Sequence, residues 1–581
     1  MGLLKPDLPE VDESWRTRPL LARIRPLAQH WVEHGFGTPY AIHVLYLVKV
    51  LAWAGGALAV AAATPGVGPL GDVGSWWTDI VVYQKIVVWT LLWEVLGLGC
   101  GSGPLTMRFL PPVTAFLHWL RPGTVRLPPW PRIPLTGGTR RGAVDVALYV
   151  AVLAGAGWAL LAPGRGDGPM DPARLLPLVL ALAVLGLRDK TIFLAARGEH
   201  YWVTLLIFWL PFVDLVIGLK LLMVAMWWGA ATSKLNRHFP FVVAVMISNS
   251  PLQRIPWVKR RFYRRYPDDL RPSRWAALAG HAGTTIEYAM PAVLLFSSGG
   301  PVTTAALIVM VVFHVHIFST FPMGVPMEWN VFFVYSALVL FGHHAAVGPL
   351  DARSPVPLLL LALLLAGTVA LGNLRPRLVS FLPAMRYYAG NWPTSMWCFR
   401  DEAEARLAAC VPTAAAPAGV QLGRLYGAEV SDLLLHKALA WRALHAHGRA
   451  LFGLLPRAVP PASPGGAADV ERYALRDGEL VAGLVLGWNF GDGHLHGEPL
   501  VAAVQERCGF APGEVRVIVL ESQPIQRPYQ RYRILDAATG LVEEGEVAVA
   551  DMVVRQPWLD GDGTIPVTVV RRQPTAGQVR S

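Results

Sequence analysis

Long apolar runs alternate with short polar connectors along the first two thirds of the chain. A bilayer takes roughly 20 apolar residues per helix, and runs of that kind fall near 41–63, 80–98, 142–162, 200–219, 275–298, 301–320, 326–346 and 355–372. Shorter or longer apolar stretches at 174–187 and 221–249 add further candidate spans. A chain in lipid must satisfy its own backbone hydrogen bonds, so the pattern predicts a helical membrane domain of about eight to ten passes. Past residue 385 the pattern changes. Helical periodicity over 422–454 gives way to strand-like segments at 479–488, 514–522, 529–537 and 541–551. A helix is expected at 498–508 and a turn at Ala538, Thr539 and Gly540.

The expected fold class is therefore a polytopic α-helical membrane domain followed by a C-terminal α+β soluble domain. A basic N-terminal segment covers 1–40, transmembrane helices cover 41–384, and the soluble domain covers 385–581, with Ala- and Pro-rich linkers at 411–419 and 455–468.

Composition agrees: 53% of the 581 residues are hydrophobic and 16% charged, too apolar for an ordinary soluble enzyme. The net charge of +11 is carried largely by connectors: Arg16, Arg18, Arg23 and Arg25 before the first span, Arg121 to Arg141 before the third, and RIPWVKRRFYRRYPDDLRPSR at 254–274. The positive-inside rule places these connectors, the N-terminus and the C-terminal domain on the cytoplasmic face of a bacterial inner (plasma) membrane. Anionic lipid head groups, not nucleic acid, are the partners this charge implies. Counting spans also puts 200–253 across the membrane an even number of times. TSKLNRHFP then lies at the far turn, with Lys234 on the opposite side from 254–274.

Ionisable residues at membrane depth are costly, so each marks a candidate site. AMWWGAATSKLNRH, 225–238, carries Lys234 with Asn236 behind a small-residue stretch and Trp228; a solvated hairpin turn is the plainer account. In AGHAGTTIEYAMP, His281, Thr284, Thr285 and Tyr288 share a helical face with Glu287 beside them, a stripe that faces a cavity or an interhelical seam. In FHVHIFSTFPMGVPMEWN, His314 and His316 point roughly 200° apart on a helix and cannot both hold one metal. Met323, Gly324, Pro326, Glu328, Trp329 and Asn330 follow in an interrupted segment that can line a cavity. Asp214 and Lys220 read as a compensating pair. GWNFGDGHLHGEP, with Asp492, His494, His496 and Glu498, reads as a surface turn rather than a metal site. Phosphate-binding glycine loops, GxSxG and HExxH are absent, so hydrolase and nucleotide-driven classes have no support.

GAATSKLNRHF, HAGTTIEYAMPAVLLF and VVFHVHIFSTFPMGVPMEWNVFF together resemble the HTTM membrane domain of vitamin K-dependent gamma-carboxylases over 200–346. Lys234, His281 and His314 occupy the matching places. That resemblance implies a reduced quinone as cofactor and Lys234 as the base that deprotonates it, before a glutamate substrate is carboxylated. Such a lysine must be neutral, which an apolar pocket would favour. The family carries an aspartate-rich segment after its lysine, where this chain has Asn236, Arg237 and His238. MRYYAGNW at 385–392 and GWNFGDGHLH at 487–496 further resemble a family of large transmembrane proteins of unknown function from high-GC bacteria. Two classes stay open beside a structural assembly factor. One is a membrane enzyme acting on or with a quinone- or isoprenoid-type lipid, with Lys234, His281, Glu287 and His314 catalytic, and Trp228, Asn236, Thr284, Thr285, Tyr288, His316, Glu328 and Asn330 contacting substrate. The other is a non-catalytic lipid-binding or transport protein whose C-terminal domain docks a partner.

Overall fold

The computed structural model describes residues 2–100, 114–161, 163, 168–320, 327–386, 389–459, 469–488, 491–558 and 564–573. Prolines and small polar caps decide where the apolar runs become helices. In chain order these are α1 (Leu20–His34), α2 (Tyr40–Ala62), α3 (Ile80–Val95), α4 (Ala143–Leu160), α5 (Leu176–Arg188), α6 (Gly198–Ile207), α7 (Phe212–Ser233), α8 (Phe239–Asn249), α9 (Arg274–Phe296), α10 (Gly300–Phe318), α11 (Met327–Ala337, continuing as a π turn over Leu338–His343) and α12 (Pro355–Leu374). Asp79 caps α3 by accepting from the Val81 amide, and Ser273 caps α9 through Trp275. The expected single span at 200–219 is instead broken between α6 and α7. Pro211 has no amide to donate and pushes the residue before it out of the helical region.

Among the described residues five helices, α2, α4, α7, α10 and α12, are long and apolar enough to cross a membrane. They are not equivalent: 72% of the apolar window of α7 is buried against 11% for α12, so α7 is the hub and α12 lies on the outside. Two sets of contacts order the helix ends. At one end Ser233 Oγ donates to the Met385 carbonyl at 2.9 Å, and the Ile525 amide donates to the Asn373 carbonyl. This end faces the C-terminal sheet. At the far end Asp214 accepts from the Arg353 amide at 2.8 Å, and Lys220 donates to the carbonyls of His344 and Val347 at 2.9 and 2.6 Å. Asp214 and Lys220 are thus not a pair; each satisfies backbone groups of the α11–α12 connection.

Helix α8 corrects the expected crossing at 221–249. Its eleven residues span about 16 Å, too short to cross, and it packs against α1 and α9. The hairpin β1 (Tyr263–Arg265) and β2 (Asp269–Pro272) follows on the same side. Lys234 therefore lies at the same end of the bundle as the basic segment 254–274, not opposite it.

The C-terminal region is a six-stranded antiparallel sheet of β3 (Thr394–Arg400), β4 (Tyr473–Asp477), β5 (Val515–Leu520), β6 (Tyr529–Asp536), β7 (Gly540–Ala548) and β8 (Thr568–Arg572), in the order β4-β3-β5-β6-β7-β8. Around it lie α13 (Ala428–Leu444), α14 (Ala446–Ala458), α15 (Gly478–Leu486), α16 (Glu498–Cys508) and α17 (Val549–Val554). The segment expected as a strand at 479–488 is α15. Asp477 caps it through the Glu479 amide, and its apolar residues are buried on every side, which erases the periodicity that separates helix from strand. The linker expected at 455–468 is helical to Ala458, and 460–468 lie outside the described residues.

Side chains alternate across the sheet. Trp397, Phe399, Val517 and Val519 face a core continuous with the helical bundle, while Met396, Cys398, Ile518, Leu520 and Ile534 face α1 and α14. The basic N-terminal segment thus carries a helix, α1, whose Ile24, Leu27 and Trp31 belong to the core of the C-terminal sheet. The chain between α12 and β3 passes tightly under α8: Gly390 has φ 75°, and a Cβ there would stand 2.8 Å from Val242 Cγ2 and 3.0 Å from the His238 carbonyl oxygen. Gly390→Ala is expected to cost about 1–3 kcal/mol. The measurement is the denaturation midpoint of the purified chain, with Gly367→Ala, which meets nothing within 4 Å, expected to be neutral.

Candidate functional site

Small residues at the end of α7 let its neighbours close in. A Cβ on Gly229 would lie 2.9 Å from Met385 Cβ and 3.2 Å from Val369 Cγ2. One turn later Lys234 closes the helix, and its Nζ lies 2.6 and 2.5 Å from the two carboxylate oxygens of Glu287 on α9. The side chains are 8% and 5% exposed. Phe239 and Phe313 flank the ammonium with ring centroids 5.1 and 5.9 Å away.

Glu287 belongs to the buried face of α9 with Ala276, Gly280 and Thr284. The expected polar stripe is split by that face. His281 and Thr285 are exposed and bonded to each other through Thr285 Oγ1 and the His281 carbonyl. Tyr288 and Trp228 stitch α9 to α7: the Tyr288 hydroxyl meets Thr232 Oγ1 at 2.7 Å, and Trp228 Nε1 donates to the Tyr288 carbonyl at 3.0 Å. Asn236 is a cap, its Oδ1 accepting from the amides of His238 and Phe239 at the start of α8.

On α10, His314 is buried and His316 exposed, as two residues on opposite helix faces must be. The Trp227 indole N–H lies 3.1 Å from His314 Nε2, and Asn330 Oδ1 lies 3.1 Å from Nδ1. An indole nitrogen can only donate, so Nε2 keeps its lone pair and Nδ1 carries the proton. His314 is a neutral, doubly anchored imidazole. The bond from Trp227 to His314 joins residues far apart in the chain and has no local signature in the sequence.

Glu328 does not join this group. The Cys100 amide donates to both its oxygens at 3.1 Å, and it sits with Glu94, which Arg197 holds at 2.5 Å. Trp329 stands between the two clusters, touching Phe333 on one side and the Arg197 guanidinium on the other. Met323, Gly324 and Pro326 lie outside the described residues.

Lys234, Glu287, His314, His316 and Asn330 line one cavity of about 660 Å³, whose walls are otherwise apolar, from Met226 and Trp227 to Phe239, Met246, Phe313 and Phe333. Its outer wall includes Ile308, Val309 and Val312, the exposed face of α10. His281 falls outside it. The cavity can hold an apolar body and offer it one polar point. Both oxygens of the Glu287 carboxylate are taken up by Lys234 Nζ, so the pair meets its own charge at the cavity wall.

Two further clusters lie outside the bundle. Asp7, His30 and His34 bring ligand atoms within 4.8 Å of one another, close enough for a metal. Lys437 Nζ lies 3.0 Å from His30 Nδ1 and donates to the Asp7 carbonyl, so the group fastens the N-terminal segment to α13. The second corrects the expected surface turn at 487–499. Asp492 and His496 are buried, and His494 lies between Asp492 at 2.9 Å and Glu521 at 3.0 Å. The Asp492 amide donates to the Leu194 carbonyl, Lys190 donates to the His494 carbonyl at 3.0 Å, and Asp492 accepts from the Phe381 amide. Burial opposes charge on His494, but the two carboxylates outweigh it and raise its pKa to about 9.

The sequence profile of a family described as transmembrane protein of unknown function (DUF3556) matches residues 1–570. The chain belongs to that family. No curated protein and no solved structure matches it. As a DUF3556 protein it is a transmembrane protein, in keeping with its five long apolar helices and with the exposed leucines that coat α12.

Breaking a buried ion pair strands one charge, at about 3–5 kcal/mol. Lys234→Met or Glu287→Leu alone is expected to destabilise the DUF3556 protein by that order, and the double variant to recover most of the loss in thermal unfolding. For His494, the raised pKa means its stabilisation is complete below its ordinary value near 6.5 and is lost as pH rises through about 9. The melting-temperature gap between wild type and His494→Gln should therefore shrink from pH 6.5 to pH 9.

Proposed function

We propose that the protein takes a quinone- or isoprenoid-class lipid out of the bilayer into the cavity between α7, α8, α9, α10 and α11. The observation that carries this is the buried Lys234–Glu287 pair at one end of an apolar, aromatic-walled cavity whose outer wall is the exposed face of α10. A bilayer lipid can enter sideways there, and the pair supplies the polar contact for a ring oxygen or hydroxyl. We read the topology as about eight to ten helical passes, built on α2, α4, α7, α10 and α12, in a bacterial plasma membrane. Both termini are placed on the cytoplasmic face. Support comes from the alternating helix ends and from the basic connectors gathered at the sheet-facing end, where Arg507 of α16 donates to the Thr139 carbonyl.

The HTTM-like, gamma-carboxylase-like reading, with Lys234 as base toward a reduced quinone, is favoured by the position of Lys234 in this same cavity. Glu287 weighs against it, because both its oxygens already engage the Lys234 amine that a base would have to offer. Binding is therefore the reading put first, with catalysis as a second step that needs the pair to open.

Mass spectrometry of lipids copurifying with the wild-type protein and with Lys234→Ala tests both. Enrichment of a quinone or polyprenyl lipid in wild type, reduced in the variant, is expected. Ordinary phospholipid alone in both would overturn the lipid-binding reading. An oxidised form of the lipid made only when Lys234 is present would promote the enzyme.

A further inference from the structure

A second hollow adjoins the cavity at the sheet-facing end. It is a groove of about 1310 Å³ lined by six cations, Lys234, Arg237, Arg260, Arg261, Arg264 and Arg274. Two of them are neutralised: Lys234 by Glu287 and Arg260 by Glu33. Among the described residues, Arg237, Arg261, Arg264 and Arg274 have no carboxylate within 4 Å, although Asp269 acts on Arg264 from farther away. Arg261 instead lies over the Trp275 ring. The far wall is not membrane domain at all but Val553 and Val554 of α17.

The topology rule explains why arginines sit on this side of the bundle. It does not explain why they ring one groove closed by the C-terminal domain. Nor does it explain why that groove shares Lys234 and Phe239 with the apolar cavity. A molecule whose apolar chain fills the cavity has to present its head at this shared wall. A neutral quinone head leaves the unpaired guanidiniums unanswered, whereas a phosphate or diphosphate accepts the forked, charge-assisted hydrogen bonds that arginine offers.

We propose that the site takes a phosphate-headed amphiphile of the isoprenoid class, its chain in the cavity and its phosphate or diphosphate among Arg237, Arg264 and their neighbours. This rests on the preceding reading of the cavity as a lipid site and adds the chemistry of the head. The C-terminal domain, through α17, forms one side of the head-group chamber.

The test uses the full chain in nanodiscs of neutral phosphatidylcholine and three probes: farnesyl diphosphate, farnesol and inorganic diphosphate. Wild type is expected to bind farnesyl diphosphate at least about tenfold more tightly than farnesol, and in Arg237→Gln/Arg264→Gln the preference should fall below about threefold with farnesol binding unchanged. Equal binding of the two prenyl probes by wild type, or an undiminished preference in the double variant, would overturn the head-group site and leave the lipid cavity standing. If neither prenyl probe binds, the cavity reading fails and takes this one with it. Inorganic diphosphate binding as tightly as farnesyl diphosphate, with no binding of farnesol, would make the groove a site for soluble anions and sink the amphiphile.

Discussion

Lys234 and Glu287 are each expensive to hold inside apolar surroundings, and together they are tolerable only while they touch. That condition ties α7, the most enclosed of the five long apolar helices, to the middle of α9, and α9 in turn to α8 and α10. The aromatic rings of Phe239 and Phe313 complete the shell around the ammonium. What remains beside the pair is a volume with one polar corner. Its size and its wall follow from the need to bury the charges as a unit.

Much of the architecture was legible in the chain. The spans at 41–63, 142–162, 275–298 and 355–372 correspond closely to α2, α4, α9 and α12, because a run of some 20 apolar residues has few other destinations. The helix at 498–508 and the strands near 514–522, 529–537 and 541–551 were equally plain from caps, alternation and a Gly-containing turn. Lys234 and Glu287 were both visible as ionisable residues in apolar context, and their meeting was not, since pairing across 53 positions leaves no local trace.

The misreadings share a cause. Asp214 beside Lys220, and Asp492 among glycines and histidines, were judged by sequence neighbours, whereas a buried polar group answers to whatever the fold brings near it. Asp214 and Lys220 turned to backbone groups of the α11–α12 connection. Asp492 and His494 became the fastening between the sheet and the bundle, reaching residues from Leu194 to Glu521. Glu328 likewise faces Cys100 and Glu94 because Trp329 fills the space between the two clusters.

The two-faced sheet has a consequence in time. One face packs on the helical bundle and the other on α1, so a slip of one residue would exchange the two sets of side chains. Yet α1 is made about 400 residues before α13, against which it packs. At ribosomal speeds of about 5–20 residues per second, that interval is roughly 20–80 s. Through it Ile24, Leu27 and Trp31 have no sheet to cover them, and the whole bundle must thread into the membrane before the chain's beginning finds its end.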